Sequence, residues 1–356
     1  MGWMMLAEST PSKKSFAPAP TDRDRARGAL WGMLIGDALA MPVHWSYDRT
    51  AMRRDYGLVL DFVEPRNPHP GSILWRSKYE ARNERGDILH DQAKFWGQRD
   101  VHYHQFLAAG ENTLNLQLAA ELMDSLATTG GYTPSDAAER YVRFMLEAGR
   151  HRDTYVEECH RNFFTRYATG LNPWECAAKD IHIGGLAGLA PLVVRYRNEP
   201  DQALAVVRQH LHLTHRGDLV TVSADAYAKL LLALLEGTFD ARTALAGAMS
   251  QSWLRRHPIL NWLEEADEAV IGPRMSPACY LDDALPATLF LAAKYQHDFA
   301  GGLIANTNLG GDNCHRGAVL GAILGAALGE SAIPRRWISG LAAHRRYEQL
   351  IGILAG

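Results

Sequence analysis

Apolar positions recur at helical spacing along most of the chain. Leu114, Leu118, Leu122 and Leu126 form a stripe at intervals of four, which predicts a helix beginning just after Glu111-Asn112-Thr113. The same reading gives helices over 25–39, 134–149, 155–169, 185–197, 200–212, 222–236, 240–255, 261–270, 282–296 and 298–306. No segment shows the β-branched alternation of a half-buried strand, and no repeat of constant period is present. Two stretches depart from ordinary amphipathic patterning. In 309–329, LGGDNCHRGAVLGAILGAALG, glycines stand at Gly317, Gly321, Gly325 and Gly329; in 25–39 they stand at Gly28, Gly32 and Gly36. A spacing of four puts each set on one helix face. Glycine costs a helix about 1 kcal/mol relative to alanine. Two matched stripes therefore predict two backbones pressed together.

Between the helices, 46–110 is irregular. Pro65, Pro68, Pro70 and Gly71 break it, and Trp75, Tyr79, Trp96 and Tyr103 stud it. A loop of that length is usually functional or disordered, and its aromatic content argues for function. Residues 1–21 lack periodicity and read as a disordered tail, with Thr21 as the first helix cap. No linker divides the rest. The expectation is one all-α domain over 22–356, a helical bundle.

Composition narrows the function. The chain is 47% hydrophobic with a formal net charge of -3 and no basic block, so nucleic acid is not expected as a partner. The longest apolar runs are glycine-rich or too short to span a bilayer, so no membrane is expected either. Cys159, Cys176, Cys279 and Cys314 are widely separated, which excludes a CxxC zinc site and fits a reducing, cytoplasmic setting. Cys159, Cys176 and Cys279 read as small buried residues. A small-molecule substrate is the remaining class of partner.

The chemistry gathers where the second glycine stripe begins. Asp312, Asn313, Cys314 and His315 follow a Gly-Gly turn. A helix N-terminus lowers the pKa of a thiol placed there, so Cys314 is a candidate nucleophile. His44 or His315 would serve as its base; helix neighbours diverge by about 100°, which turns His315 aside. Glu111 or Asn112 would orient that histidine. His102 and His104, two apart in an extended segment, face one side, either lining the site or packing on aromatics. His215 and Arg216 are candidate cleft residues, Arg216 for a phosphate or carboxylate. Asp37 reads as a brace of the first helix.

Several motifs carry a family resemblance. Gly28-Ala29-Leu30-Trp31-Gly32-Met33-Leu34-Ile35-Gly36-Asp37-Ala38-Leu39 resembles the first helix of the ADP-ribosylglycohydrolase family, which includes dinitrogenase-reductase-activating glycohydrolases and J1 crystallins. Leu309-Gly310-Gly311-Asp312 and Gly321-Ala322-Ile323-Leu324-Gly325-Ala326 resemble its C-terminal signature. Tyr280-Leu281-Asp282-Asp283-Ala284-Leu285-Pro286-Ala287 and Leu213-Thr214-His215 resemble intervening elements. The resemblance spans roughly 25–330. It implies an all-α orthogonal bundle, a binuclear magnesium or manganese centre held by carboxylates from three places, and hydrolysis of a glycosidic bond to ADP-ribose.

This sequence departs at those places. His44 stands at the first, Gly110-Glu111-Asn112-Thr113 replaces a Thr-Asp-Asp-Thr, and Asp312-Asn313-Cys314-His315 replaces an Asp-x-Asp-Thr. Only Glu111 and Asp312 remain acidic there, a poor set for two hard magnesium ions. Three readings follow. Cys314, His44, Glu111 and Asp312 carry out metal-free chemistry on a small, ribosylated molecule, with Asn112, His102, His104, His215, Arg216 and His315 binding it. Alternatively, Glu111, Asp312, His44 and Cys314 hold one softer divalent ion such as zinc, iron or manganese, and the family's ADP-ribosyl hydrolysis is kept. The last reading is a catalytically silent binding or structural relative.

Overall fold

A computed structural model of the chain describes residues 19–237, 241–248 and 254–356. The expected tail therefore falls outside the described residues up to residue 18, as does part of the expected helix 240–255. Helices account for nearly all of the regular structure that is described. The only named strands among these residues are the two-residue segments Ala178–Lys179 and His215–Arg216, which pair in parallel.

The centre of the fold is the pairing of helix Asp22–Ala40 with helix Asn313–Leu328, and both are buried over most of their length. Thr21 caps the first, its hydroxyl accepting the Asp24 N–H at 3.2 Å. The glycine stripes meet in antiparallel register: Gly28 faces Gly325, Gly32 faces Gly321 and Gly36 faces Gly317. A Cβ on Gly321 would lie 2.6 Å from the Gly32 carbonyl carbon. Carbon atoms normally stay about 3.5–4.0 Å apart. Only glycine on both sides allows this approach. Helices Leu114–Thr129, Asp218–Glu236, Leu281–Lys294 and Phe299–Leu309 pack around the pair with Leu, Ile, Val and Phe side chains that are almost wholly buried.

Several expected helices are divided. The expected helix 185–197 becomes Gly184–Ala187 and Ala190–Arg195, and 261–270 keeps only a short turn at Asp267–Val270 after a 3-10 turn at Ile259–Trp262. Apolar periodicity marked these segments as buried, but not as continuous. The irregular 46–110 region is ordered by long-range bonds. For example, Trp96 donates through its indole N–H to the Thr154 carbonyl at 2.8 Å, and Tyr103 accepts the Ile73 N–H at 2.8 Å.

The antiparallel pair has a functional consequence. The end of the first helix, leading to His44 and Trp45, is brought to the start of the last long helix, which carries Asp312 and His315. The join is tight. The Trp45 N–H donates to the Gly311 carbonyl, and the Gly311 N–H donates to the Ser46 carbonyl, both at 2.8 Å. Gly310 and Gly311 have φ of 66° and 68°, a region that side chains disfavour, and a Cβ on Gly311 would sit 2.7 Å from the Pro277 carbonyl carbon. The fully buried Arg316 ties the turn from behind, donating to the Gly310 carbonyl at 2.8 Å and to the Asn306 side chain at 2.7 Å.

Candidate active site

Asp312 lies at the turn into helix Asn313–Leu328, but its carboxylate does not cap the helix. It accepts from two imidazoles instead: His44 Nε2 at 3.0 Å, and His315 Nδ1 at 2.8 Å to one oxygen and 3.0 Å to the other. Residues three apart on a helix share a face, so Asp312 and His315 meet naturally. The far nitrogen of His315 lies 3.0 Å from Glu157 Oε1, at the start of helix Glu158–Tyr167. Asn115 donates to the same Glu157 oxygen at 2.9 Å. The result is a buried chain, carboxylate–imidazole–carboxylate.

Its charges are mutually fixed. Burial works against an imidazolium at His315, but Asp312 and Glu157 outweigh it and raise the ring well above its usual pKa. Burial likewise works against both carboxylates, and His315 outweighs it. Glu157 is pushed down to about 2, and Asp312 is held well below the usual carboxylate range, with His44 also contributing. His315 is therefore a cation between two anions. His44 is pushed down to about 4, chiefly by burial, and is neutral. A second chain continues from it: His44 Nδ1 lies 2.8 Å from His104 Nε2, and His104 Nδ1 lies 2.5 Å from Asp153 Oδ1.

Asp312 and Glu157 are among the residues lining a cleft of about 330 Å³. Trp45, Tyr47, Tyr103, Tyr155 and Tyr280 form its walls, with Arg76, Asp180, His182 and Cys279 also facing it. That volume is in the range of small-molecule sites. Trp45 has φ of 55°, rare for a bulky residue, and stacks on His44 with ring centroids 3.8 Å apart. The edges of Tyr103 and Tyr155 meet it at 4.9 and 5.1 Å. The non-glycine strain is spent on holding one aromatic face at the site.

The sequence matches the model of the family described as ADP-ribosylglycohydrolase over residues 18–356. The chain belongs to the ADP-ribosylglycohydrolase family. No curated protein matches it. Among solved structures, it is similar to one titled ADP-ribosylglycohydrolase-related protein complex, with 26% identity and a TM-score of 0.65, covering 94% of this chain and 98% of that one. The all-α fold is the family's.

The family's binuclear magnesium centre does not fit these residues. Magnesium needs several oxygen ligands in octahedral geometry. Here both Asp312 oxygens face imidazole nitrogens, and Glu157 is held by His315 and Asn115. Asp37, also at the centre, accepts three bonds from Asn112 and Thr113. The positive charge between the carboxylates is supplied by His315.

Of the residues singled out in the sequence, His44, His104, Asp312 and His315 come together. Cys314 reaches two of them: its sulfur and ring nitrogens of His44 and His104 all lie within 4.8 Å of one another. It is buried beside Ala40, Met41 and Leu107, and its thiol lies 3.5 Å from the Asp37 carbonyl. Burial pushes that thiol well above its usual pKa, the reverse of the helix-terminus expectation. His315, expected to turn aside, holds the site. Glu111 accepts from Ala108 N–H at 2.9 Å and pairs with Arg152 beside a different depression. Asn112 braces the core, donating to Asp37 at 2.8 Å and accepting from Tyr347 at 2.9 Å. Asp37 is thus the structural acceptor expected.

His102 is buried behind His104, with Nε2 3.0 Å from the Pro42 carbonyl. His215 lines a different pocket with His160 and Asn115. Arg216 is exposed and donates to the Trp174 carbonyl. The sequence reading missed Glu157, Asp153, Asp180 and His182. The only local signal was their acidity or imidazole chemistry between apolar helices.

Proposed function

We infer that this protein is a hydrolase that cleaves a glycosidic C–N or C–O bond in a small, ribosylated molecule, using Asp312 and Glu157 rather than two magnesium ions. The observation that carries the reading is the pair of carboxylates bridged by His315, both lining an aromatic cleft. Breaking a glycosidic bond builds oxocarbenium-like positive charge on the sugar carbon. Anions already fixed beside that carbon stabilise it without reorganising. His315 keeps both anions ionised and oriented, so it is a positioning residue. Trp45, Tyr103 and Tyr155 offer aromatic faces to a planar leaving group, and Arg76 offers a guanidinium to a phosphate or carboxylate.

The test is turnover of a panel of ribosyl and ADP-ribosyl conjugates. Asp312→Asn and Glu157→Gln should each lower turnover by roughly 10²-fold or more, the typical cost of removing one preorganised group, with helix content unchanged by circular dichroism. Full turnover in Asp312→Asn, or none by the wild type across the panel, would overturn the reading. A second reading rests on two overlapping clusters, His44 with Asp312 and His315, and His44 with His104 and Cys314, each with donor atoms within 4.8 Å of one another, sets suited to one softer divalent ion. Stoichiometric zinc, iron or manganese in purified protein, with activity lost to a chelator, would favour it.

A further inference from the structure

The facing nitrogens of His44 and His104 pose a problem of charge. His44 Nε2 lies 3.0 Å from Asp312 Oδ1, and His104 Nδ1 lies 2.5 Å from Asp153 Oδ1. An ionised carboxylate can only accept, so each ring commits its one proton to its carboxylate. Asp153 is anchored in turn by the Leu114 backbone N–H, at the start of helix Leu114–Thr129. That leaves His44 Nδ1 and His104 Nε2 facing each other at 2.8 Å, each with a lone pair and no proton to share. Two lone pairs at that distance repel. His44 is 1% exposed and His104 3%, so solvent does not relieve them. A cation does, either a second proton or a metal ion.

The third member of the cluster decides between them. The buried Cys314 sulfur and a ring nitrogen of each histidine lie within 4.8 Å of one another. A proton is shared by two donor atoms, whereas zinc takes imidazole nitrogen and thiolate sulfur together as its ordinary ligands. The surroundings also suit ligands. A ligating histidine usually donates its other ring N–H to a carboxylate or carbonyl, which fixes its tautomer and strengthens its donor nitrogen. His44 and His104 both do so, to Asp312 and Asp153. His102 holds the His104 segment from behind: its Nε2 lies 3.0 Å from the Pro42 carbonyl, and its Nδ1 accepts the His104 backbone N–H at 3.0 Å. We propose that His44 Nδ1, His104 Nε2 and the Cys314 sulfur hold one zinc-class divalent ion. Two nitrogens on a tetrahedral zinc stand about 3.3 Å apart, so the rings need to part by about 0.5 Å. The thiol gives up its proton on binding, and a thiolate and two neutral imidazoles surround the ion.

The proposal deepens the metal reading of the site and rests on it for the presence of an ion, but it places that ion. In the competing cluster the facing atoms are already matched: His44 Nε2 and His315 Nδ1 both point at Asp312 oxygens. A cation there displaces protons shared with a carboxylate, whereas among His44, His104 and Cys314 it displaces only the thiol proton. In that place it joins three distant segments: the turn after helix Asp22–Ala40, the irregular 46–110 region and the first turn of helix Asn313–Leu328. The readout is binding, so it does not depend on glycosidic turnover.

The experiment strips the full chain with a chelator and titrates it with cobalt(II) chloride, with zinc(II) chloride as competitor. Circular dichroism reports the folding of each variant. The expected result is one equivalent of bound cobalt with a thiolate-to-cobalt charge-transfer band in the near ultraviolet, which zinc removes. Cys314→Ala should lose the band, and His315→Gln should keep it. Asp153→Asn should weaken binding by about 10- to 100-fold, the usual cost of losing a partner behind a ligand. Cobalt bound without the band, retained in folded Cys314→Ala and lost in folded His315→Gln, overturns this placement and leaves the metal reading standing. Neither cobalt nor zinc bound by the folded wild type overturns both.

Discussion

The glycine contact between the two central helices can be tested at its midpoint. A methyl group on residue 321 would lie 2.6 Å from the Gly32 carbonyl carbon and closer still to its oxygen. Both are backbone atoms, so no side chain can rotate away. Restoring ordinary contact requires the helices to separate by about 1 Å. Alanine gains about 1 kcal/mol of helix propensity over glycine. Overpacking a rigid interface costs about 3 kcal/mol at the upper end of its usual range. Gly321→Ala should therefore destabilise the protein by a net amount of about 2 kcal/mol. Gly352, in helix His344–Ala355, is the control, because an added Cβ there meets nothing within 4 Å. Gly352→Ala should be neutral or stabilise by up to about 1 kcal/mol. Urea unfolding followed by circular dichroism measures both. The site should also respond, because the same contact brings His44 to Asp312. Gly321→Ala equal to or more stable than wild type would refute the close-packing argument.

Three further outcomes follow from the site. Cys314→Ala should cost about 1 kcal/mol as a small core truncation and keep its turnover; abolished turnover in a folded protein would restore Cys314 as a catalytic group. Glu111→Gln should leave turnover unchanged, since Glu111 pairs with Arg152 away from the cleft; a large loss in steady-state assays would contradict this. Glu157 is held at about 2 against a usual 4.5, so its pairing with His315 stabilises the fold above the usual carboxylate pKa and is lost as pH falls towards 2. The span corresponds to at most about 3 kcal/mol, lessened because the Glu157 side chain is 19% exposed. His315→Gln should remove this acid-dependent component from pH-dependent unfolding curves, and identical curves for both proteins would count against the pairing.

The glycine intervals at 28–36 and 317–329 were readable because a period of four has few physical explanations other than one close-packed face. They led to the right helix pair, and with the flanking motifs to the family and the all-α fold. Asp312 and His44 were likewise legible, since they sit at the ends of those helices. Cys314 follows Asp312 in sequence, but its sulfur meets His44 and His104, while Asp312 and His315 pair with each other three positions apart. Glu157 was hidden because a carboxylate's role depends on the charge it meets, and His315 reaches it only after folding. The sequence by itself determined which backbones must touch, because small residues at a fixed period leave little choice. Only the tertiary structure decided which titratable groups meet, because that depends on helix rotation and on contacts between distant segments that no local pattern records.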